Sequence, residues 1–194
     1  MPQVPINKIS WPTREAFVRD VHPAIMRLGL GPTAASILTA HIALSTGWGK
    51  AADNYRLAGI KASSEDQNYT VVSGTEYKNG IETPKTPMKW RSFNSLDEGV
   101  AAVVGLLRRE CTPGRLGCYA SSWAYLTAGS TDYFRQLGAD GWYTAPPNVV
   151  AADCLARLAV INKLVGDTLP ATGSAPGLLW LVAGFFLLRW WKNR

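Results

Sequence analysis

The chain is poor in the residues that most directly announce chemistry. Its 194 residues hold three cysteines and two histidines. An odd set of three cannot all pair within one chain, and none stands at metal-ligand spacing from His22 or His41, so no metal site and no cofactor is expected. Cys111 and Cys118 bracket the turn-forming run TPGRLG. Two readings stand there, a small disulfide loop in an oxidising compartment or free thiols. The first 17 residues, MPQVPINKISWPTREAF, contain no apolar stretch of the kind a secretory signal needs. No internal repeat is visible, and no RNP, zinc-finger or basic-zipper pattern accompanies the net charge of +6. The charge therefore favours anionic surroundings without making nucleic acid the expected partner.

What is present is enough apolar material, 47% of residues, for one globular domain with an appendage. TREAFVRDVHPAIMRLGLG has cap-like Thr13 and Glu15 and apolar Phe17, Val21, Ile25 and Leu28 before glycines stop it, which predicts an amphipathic helix. Pro32 and Thr33 open a second helix, apolar nearly all round up to Gly47, as a buried central helix would be. YTVVSGTEYKNGIETP alternates about Asn79-Gly80, a β-hairpin signal. A Ser95 cap with Asp97 and Glu98 starts a further helix, and SSWAYLTAG, STDYFRQLG and NVVAADCLARLAVINKLVG predict three more. The expected fold class is α+β, mainly helical with a small β-hairpin.

The two ends complete the expected organisation: an extension over 1–12, a domain over 13–165, a Pro/Gly/Ser/Thr-rich linker over 166–177, and an apolar tail over 178–194. LLWLVAGFFLL followed by RWWKNR predicts a C-terminal transmembrane helix with an aromatic and basic border. LPATG within the linker also matches a sortase signal, although five residues are a weak motif and a flexible linker is the simpler reading. A single-pass anchor on a chain without an export signal suggests a virion membrane or the bacterial envelope, with virion or envelope proteins as further partners.

The segment ILTAHIALSTGWGKAADNYRLAGIKA makes the reading specific. It resembles the glucosaminidase family of peptidoglycan hydrolases, family 73 of the glycoside hydrolases, whose pattern is Ala-Leu-Glu-Ser-Gly-Trp-Gly and then Asn-Leu-Phe-Gly-Ile-Lys. The corresponding runs here are Ala43-Leu44-Ser45-Thr46-Gly47-Trp48-Gly49 and Arg56-Leu57-Ala58-Gly59-Ile60-Lys61. The likeness continues through GTEYKNG, WRSFNSLDEGVAAVVGLL and GWYTAPP. It implies a lysozyme-like domain directed at peptidoglycan glycan strands.

The departures bear on activity. The family's general-acid glutamate falls at Ser45, and a serine hydroxyl cannot donate a proton at neutral pH as a tuned carboxylic acid does; losing that catalysis typically costs about 10²–10⁴-fold. Ala58 replaces the motif's Phe and Arg56 its Asn, which alters the groove wall. By resemblance the second carboxylate is Glu76 on the hairpin, for which a solvated side chain is the alternative, and the late active-site tyrosine is Tyr143, with Trp142 one residue away. Candidate substrate-binding residues are Trp48, Asn54, Lys61 and Trp142, although Trp48 between two glycines also suits packing beneath the site. Two substitutes for the lost acid present themselves: Asp53 as a displaced acid, and a nucleophilic Ser45 with His41 four residues earlier on the same helical face. The functional alternatives are then a hydrolase with weakened or rerouted acid catalysis and a catalytically dead, glycan-binding or structural module.

Overall fold

A computed structural model describes residues 4–63, 68–74, 77–78, 81–82, 86–113, 117–143 and 146–166. Helix α1 (Arg14–Met26) starts where Thr13 Oγ1 accepts from the Ala16 amide at 3.1 Å. That bond satisfies one of the amides a helix start leaves unpaired. Helix α2 (Pro32–Thr46) begins with Pro32, whose missing N–H has no partner to lose. It ends where Gly47 enters the left-handed region at φ 58°.

Residues Asp53–Tyr55 form a 3₁₀ turn. Strands β1 (Tyr69–Gly74) and β4 (Thr86–Arg91) pair antiparallel from Tyr69↔Arg91 to Gly74↔Thr86. Between them β2 (Tyr77–Lys78) and β3 (Ile81–Glu82) pair with Lys78 opposite Ile81. Asn79-Gly80, where the sequence predicts the turn, lies outside the described residues, and the strand pairing runs further than expected because β4 carries it on to Arg91.

Four helices follow. In α3 (Leu96–Arg108) the Ser95 hydroxyl accepts from the Glu98 amide and the Glu98 carboxylate accepts from the Asn94 amide, so both ends of the cap are tied. After it come α4 (Ala120–Thr127), α5 (Tyr133–Ala139) and α6 (Pro147–Val165). Cys111 and Cys118 are joined as a disulfide between α3 and α4, and Cys154 is a buried free thiol.

Helix α2 is the centre of the core, packed between α1 and α6 with α4 alongside. Ile37, Leu38, Ala40, Ile42 and Ala43 have no exposed surface. Phe17 and Ile25 from α1, Leu57, Leu107 from α3, Leu126 from α4, Phe134 and Leu137 from α5 and Leu158 from α6 close around it. Each such large side chain contributes about 1.5–3 kcal/mol of burial. Together they fix α2, and α2 carries Ser45 in its last turn.

The extension over 4–12 belongs to this body rather than hanging from it. Val4 donates to the Tyr69 carbonyl at 3.0 Å, and Trp11 packs edge-on against Phe17 while its Nε1 donates to Asp20 at 2.9 Å.

The transmembrane helix of the expected fold class is corrected. No helix among the described residues is long and apolar enough to cross a membrane. The longest of them, α6, has 19 residues but carries Asp153, Arg157, Asn162 and Lys163 and packs against α2 and α5 as a core helix. The tail over 178–194, to which the span was assigned, lies outside the described residues.

Candidate glycan-binding groove

The site grows out of the turn that ends α2. Thr46 Oγ1 donates to the Ile42 carbonyl at 2.7 Å and accepts from the Gly49 amide at 2.9 Å, while Trp48 N donates to the Ala43 carbonyl at 2.9 Å. These bonds hold Gly47, Trp48 and Gly49 in succession at φ 58°, 63° and 84°. For the bulky Trp48 that conformation costs about 1–3 kcal/mol and persists only where the surroundings over-determine it. Here they do: Trp48 packs edge-on against Phe17, and the Arg14 guanidinium lies 5.1 Å from its ring centroid. Gly49 is required, because a Cβ there would run into the Trp11 ring.

A second strained step follows at Asn54 and Tyr55, with φ 53° and 51°. Asn54 is fixed on four sides. Its amide donates to the Asn7 carbonyl at 2.9 Å, its Oδ1 accepts from the Asn7 amide at 2.7 Å, its Nδ2 donates to the Pro5 carbonyl at 3.0 Å, and its carbonyl accepts from Phe93 at 2.9 Å. Gly99 of α3 lies against the Tyr55 carbonyl so closely that any Cβ would collide with it. The chain is thereby delivered to Arg56 along a defined path.

Between this turn and the β1–β4 pair lies a groove of 190 Å³, lined by Ser45, Ala51, Arg56, Ala58 and Gly59 on one side and by Val72, Ser73 and Trp90 on the other. Ser45 Oγ lies 3.2 Å from the hydroxyl of Tyr143. Burial pushes the Tyr143 phenol well above its ordinary value, so it stays protonated across the accessible pH range. No carboxylate lines the groove among the described residues. Arg56 is the one charged group among those lining residues; its guanidinium stacks on Trp90, 5.6 Å from the ring centroid.

The candidate residues divide accordingly. Ser45 and Tyr143 come together at the groove. Trp142 does not share that role: it packs at 4.9 Å from both His41 and Tyr119, so its position one residue from Tyr143 puts it in the aromatic layer beneath. Trp48 and Asn54 do not line the groove, and their contacts are with α1 and the N-terminal strap. Lys61 is exposed next to Trp90, with which its backbone forms an isolated bridge. Glu76 lies outside the described residues.

Neither substitute for the acid takes its place. Asp53 does not line the groove. His41 spends its Nδ1 on the Tyr133 hydroxyl at 2.8 Å, and its Nε2 is buried without a partner, so no bond joins it to Ser45. Burial also depresses its pKa to about 3. It is a neutral core histidine, and no Ser–His nucleophile exists. Trp90 is the aromatic groove residue that sequence reasoning passed over; the run MKWRSF gives no sign that this indole lines the groove, because its partner strand is assigned only by the hairpin register.

No protein-family model matches the chain. The peptidoglycan hydrolases FlgJ of Escherichia coli O157:H7 and of Escherichia coli strain K12 are each 32% identical to it over 120 residues, 58% of this chain and 35% of theirs. The chain thus spans about a third of the length of these curated relatives. Among solved structures, a mutant of the peptidoglycan hydrolase from Sphingomonas sp. A1 superposes with a TM-score of 0.61 at 23% identity, covering 78% of this chain and 98% of that one. The catalytic domain of the autolysin Auto from Listeria monocytogenes gives 0.58 at 20%, covering 82% and 90%. A truncated glycoside hydrolase domain of FlgJ from Salmonella typhimurium gives 0.52 at 22%, covering 80% and 100%. The fold is the one these hydrolase domains share, and the resemblance to glucosaminidase-type peptidoglycan hydrolases holds.

Proposed function

We propose, from the chain's relationship to the FlgJ peptidoglycan hydrolases, that it is a peptidoglycan-directed protein of the glucosaminidase type that holds glycan strands in the Ser45–Trp90 groove with weak or lost glycosidase activity. The observation that carries this reading is the pairing of Ser45 with Tyr143 where the family resemblance calls for a carboxylic acid. Glycoside hydrolysis needs two carboxyl groups in distinct roles, one to protonate the leaving oxygen and one to stabilise or activate the attack. Two hydroxyls with pKa values far above neutrality supply neither. Glycan recognition, by contrast, uses an aromatic face and hydrogen-bonding groups, and the groove offers Trp90, Ser73, Ser45 and Arg56. Its place of action is the bacterial envelope, where that polymer lies.

A pull-down on purified peptidoglycan together with a zymogram tests this directly. Retention on the polymer without clearing is the expected result. Clearing by the unmodified protein at rates typical of glycosidases would overturn the loss of activity, and failure to be retained would overturn the glycan-directed role.

A further inference from the structure

Arg56 is half-buried, and no carboxylate among the described groove residues pairs with it. Nη1 is buried with no hydrogen-bond partner, and Nη2 reaches only the Ala51 carbonyl at 3.5 Å, the outer limit of a hydrogen bond. Among the described residues it forms no ion pair; Asp53 acts on it only through space, and desolvation lowers its pKa from the ordinary guanidinium value. The guanidinium carbon lies 5.6 Å from the Trp90 ring centroid, a cation–π contact that holds the group beside the indole while Nη1 keeps its donors unspent. A desolvated cation with unused donors is costly to maintain, and a ligand of opposite charge would relieve that cost.

We propose that Arg56 is a carboxylate-recognition residue of the groove, taking a carboxylate borne by a muramyl-type glycan through the N–H edge that Trp90 holds in place. The planar fork matches a carboxylate's two oxygens. A single cation with no second positive group among the described lining residues suits a singly charged ligand better than a phosphate dianion. The carboxylate has two possible sources on such a polymer, the lactyl group of a peptide-free muramyl residue or the stem peptide.

The proposal rests on the glycan-directed reading above and deepens it. The test measures binding of the full chain to neutral chito-oligosaccharide, to peptide-free muramyl oligosaccharide, to a muramyl glycan carrying its stem peptide, and to the methyl esters of the last two. The expected result is binding about ten-fold or more tighter to at least one carboxylated ligand than to the neutral one, lost on esterification. The arm that shows the gain identifies the source. Arg56→Gln is expected to erase the preference for the carboxylated ligand over the chito-oligosaccharide, and Arg56→Lys to retain part of it. Equal wild-type affinity for neutral and carboxylated ligands overturns the role of Arg56 and spares the glycan-directed function; binding to none of them overturns both. The ester comparison needs no variant, so it decides the matter even if Arg56→Gln fails to fold.

Discussion

The hydroxyls of Ser45 and Tyr143 meet at 3.2 Å across a sequence separation of 98 residues. One comes from the last turn of the central helix and the other from the segment just before α6. By the resemblance to the glucosaminidases an acid would stand at position 45, and this contact sets what an acid introduced there would meet.

A glutamate at position 45 would have the Tyr143 hydroxyl within reach and the Arg56 guanidinium in the same groove. A nearby cation favours the ionised carboxylate and lowers its pKa, which is the wrong direction for a general acid. Ser45→Glu is therefore expected to give measurable release of reducing ends from peptidoglycan, and Ser45→Glu with Arg56→Asn a higher kcat even if KM rises. The pH–rate profile of the double variant should hold its activity to higher pH. A folded double variant with no activity would show that other groove changes have removed the function.

The N-terminal strap is expected to support the groove. Trp11→Ala removes the ring against Phe17 and Gly49 and the bond to Asp20, and should destabilise by about 2 kcal/mol, less than a fully buried tryptophan because the indole is half-exposed. Gly49→Ala should cost at least as much, since it adds backbone strain to the clash. Urea unfolding reads both, and an unchanged midpoint for Trp11→Ala would mean that the strap carries no stability.

Acid should weaken the fold through His41. Burial holds its folded pKa at about 3, below the unfolded value near 6.5. The unfolded chain therefore binds the extra proton first, and stability falls as pH drops from about 6.5 towards 3, with a slope approaching about 1.4 kcal/mol per pH unit. His41→Asn should flatten that slope in unfolding curves collected across the window. A slope left intact would assign acid sensitivity to other groups.

Thiol chemistry distinguishes the three cysteines. Burial pushes the Cys154 thiol up to about 12, so it is expected to resist alkylation in the native protein. Native protein should show no reactive thiol, denatured protein one, and denatured and reduced protein three. Cys111→Ser with Cys118→Ser should lower stability by about 2 kcal/mol, the entropy of a short closed loop. Two reactive thiols in native protein would show that the bridge does not form.

Much of the fold is legible because its signals are local. Thr13 and Ser95 cap helices within three residues of themselves, and the pairing of Lys78 with Ile81 falls on either side of the Asn-Gly signal in the sequence. The site is less legible because its contacts are long-range. Asn54, a candidate for sugar contact, spends its amide on Asn7 and Pro5, nearly fifty residues away. Trp48 is turned onto α1 by its own left-handed backbone, and a choice between adjacent Trp142 and Tyr143 depends on which ring faces Ser45 after α6 has docked.

By itself the sequence determined the element order, the lysozyme-like resemblance and the absence of an acid at position 45, since each is written in residue identity or short-range pattern. Only the tertiary structure decided that Tyr143 answers Ser45, that His41 is a neutral core residue, that residues 4–12 brace the site, and that Arg56 lies against Trp90 with no ion pair among the described residues. Those outcomes follow from burial and from hydrogen bonds between distant segments, which exist only once α2 is enclosed.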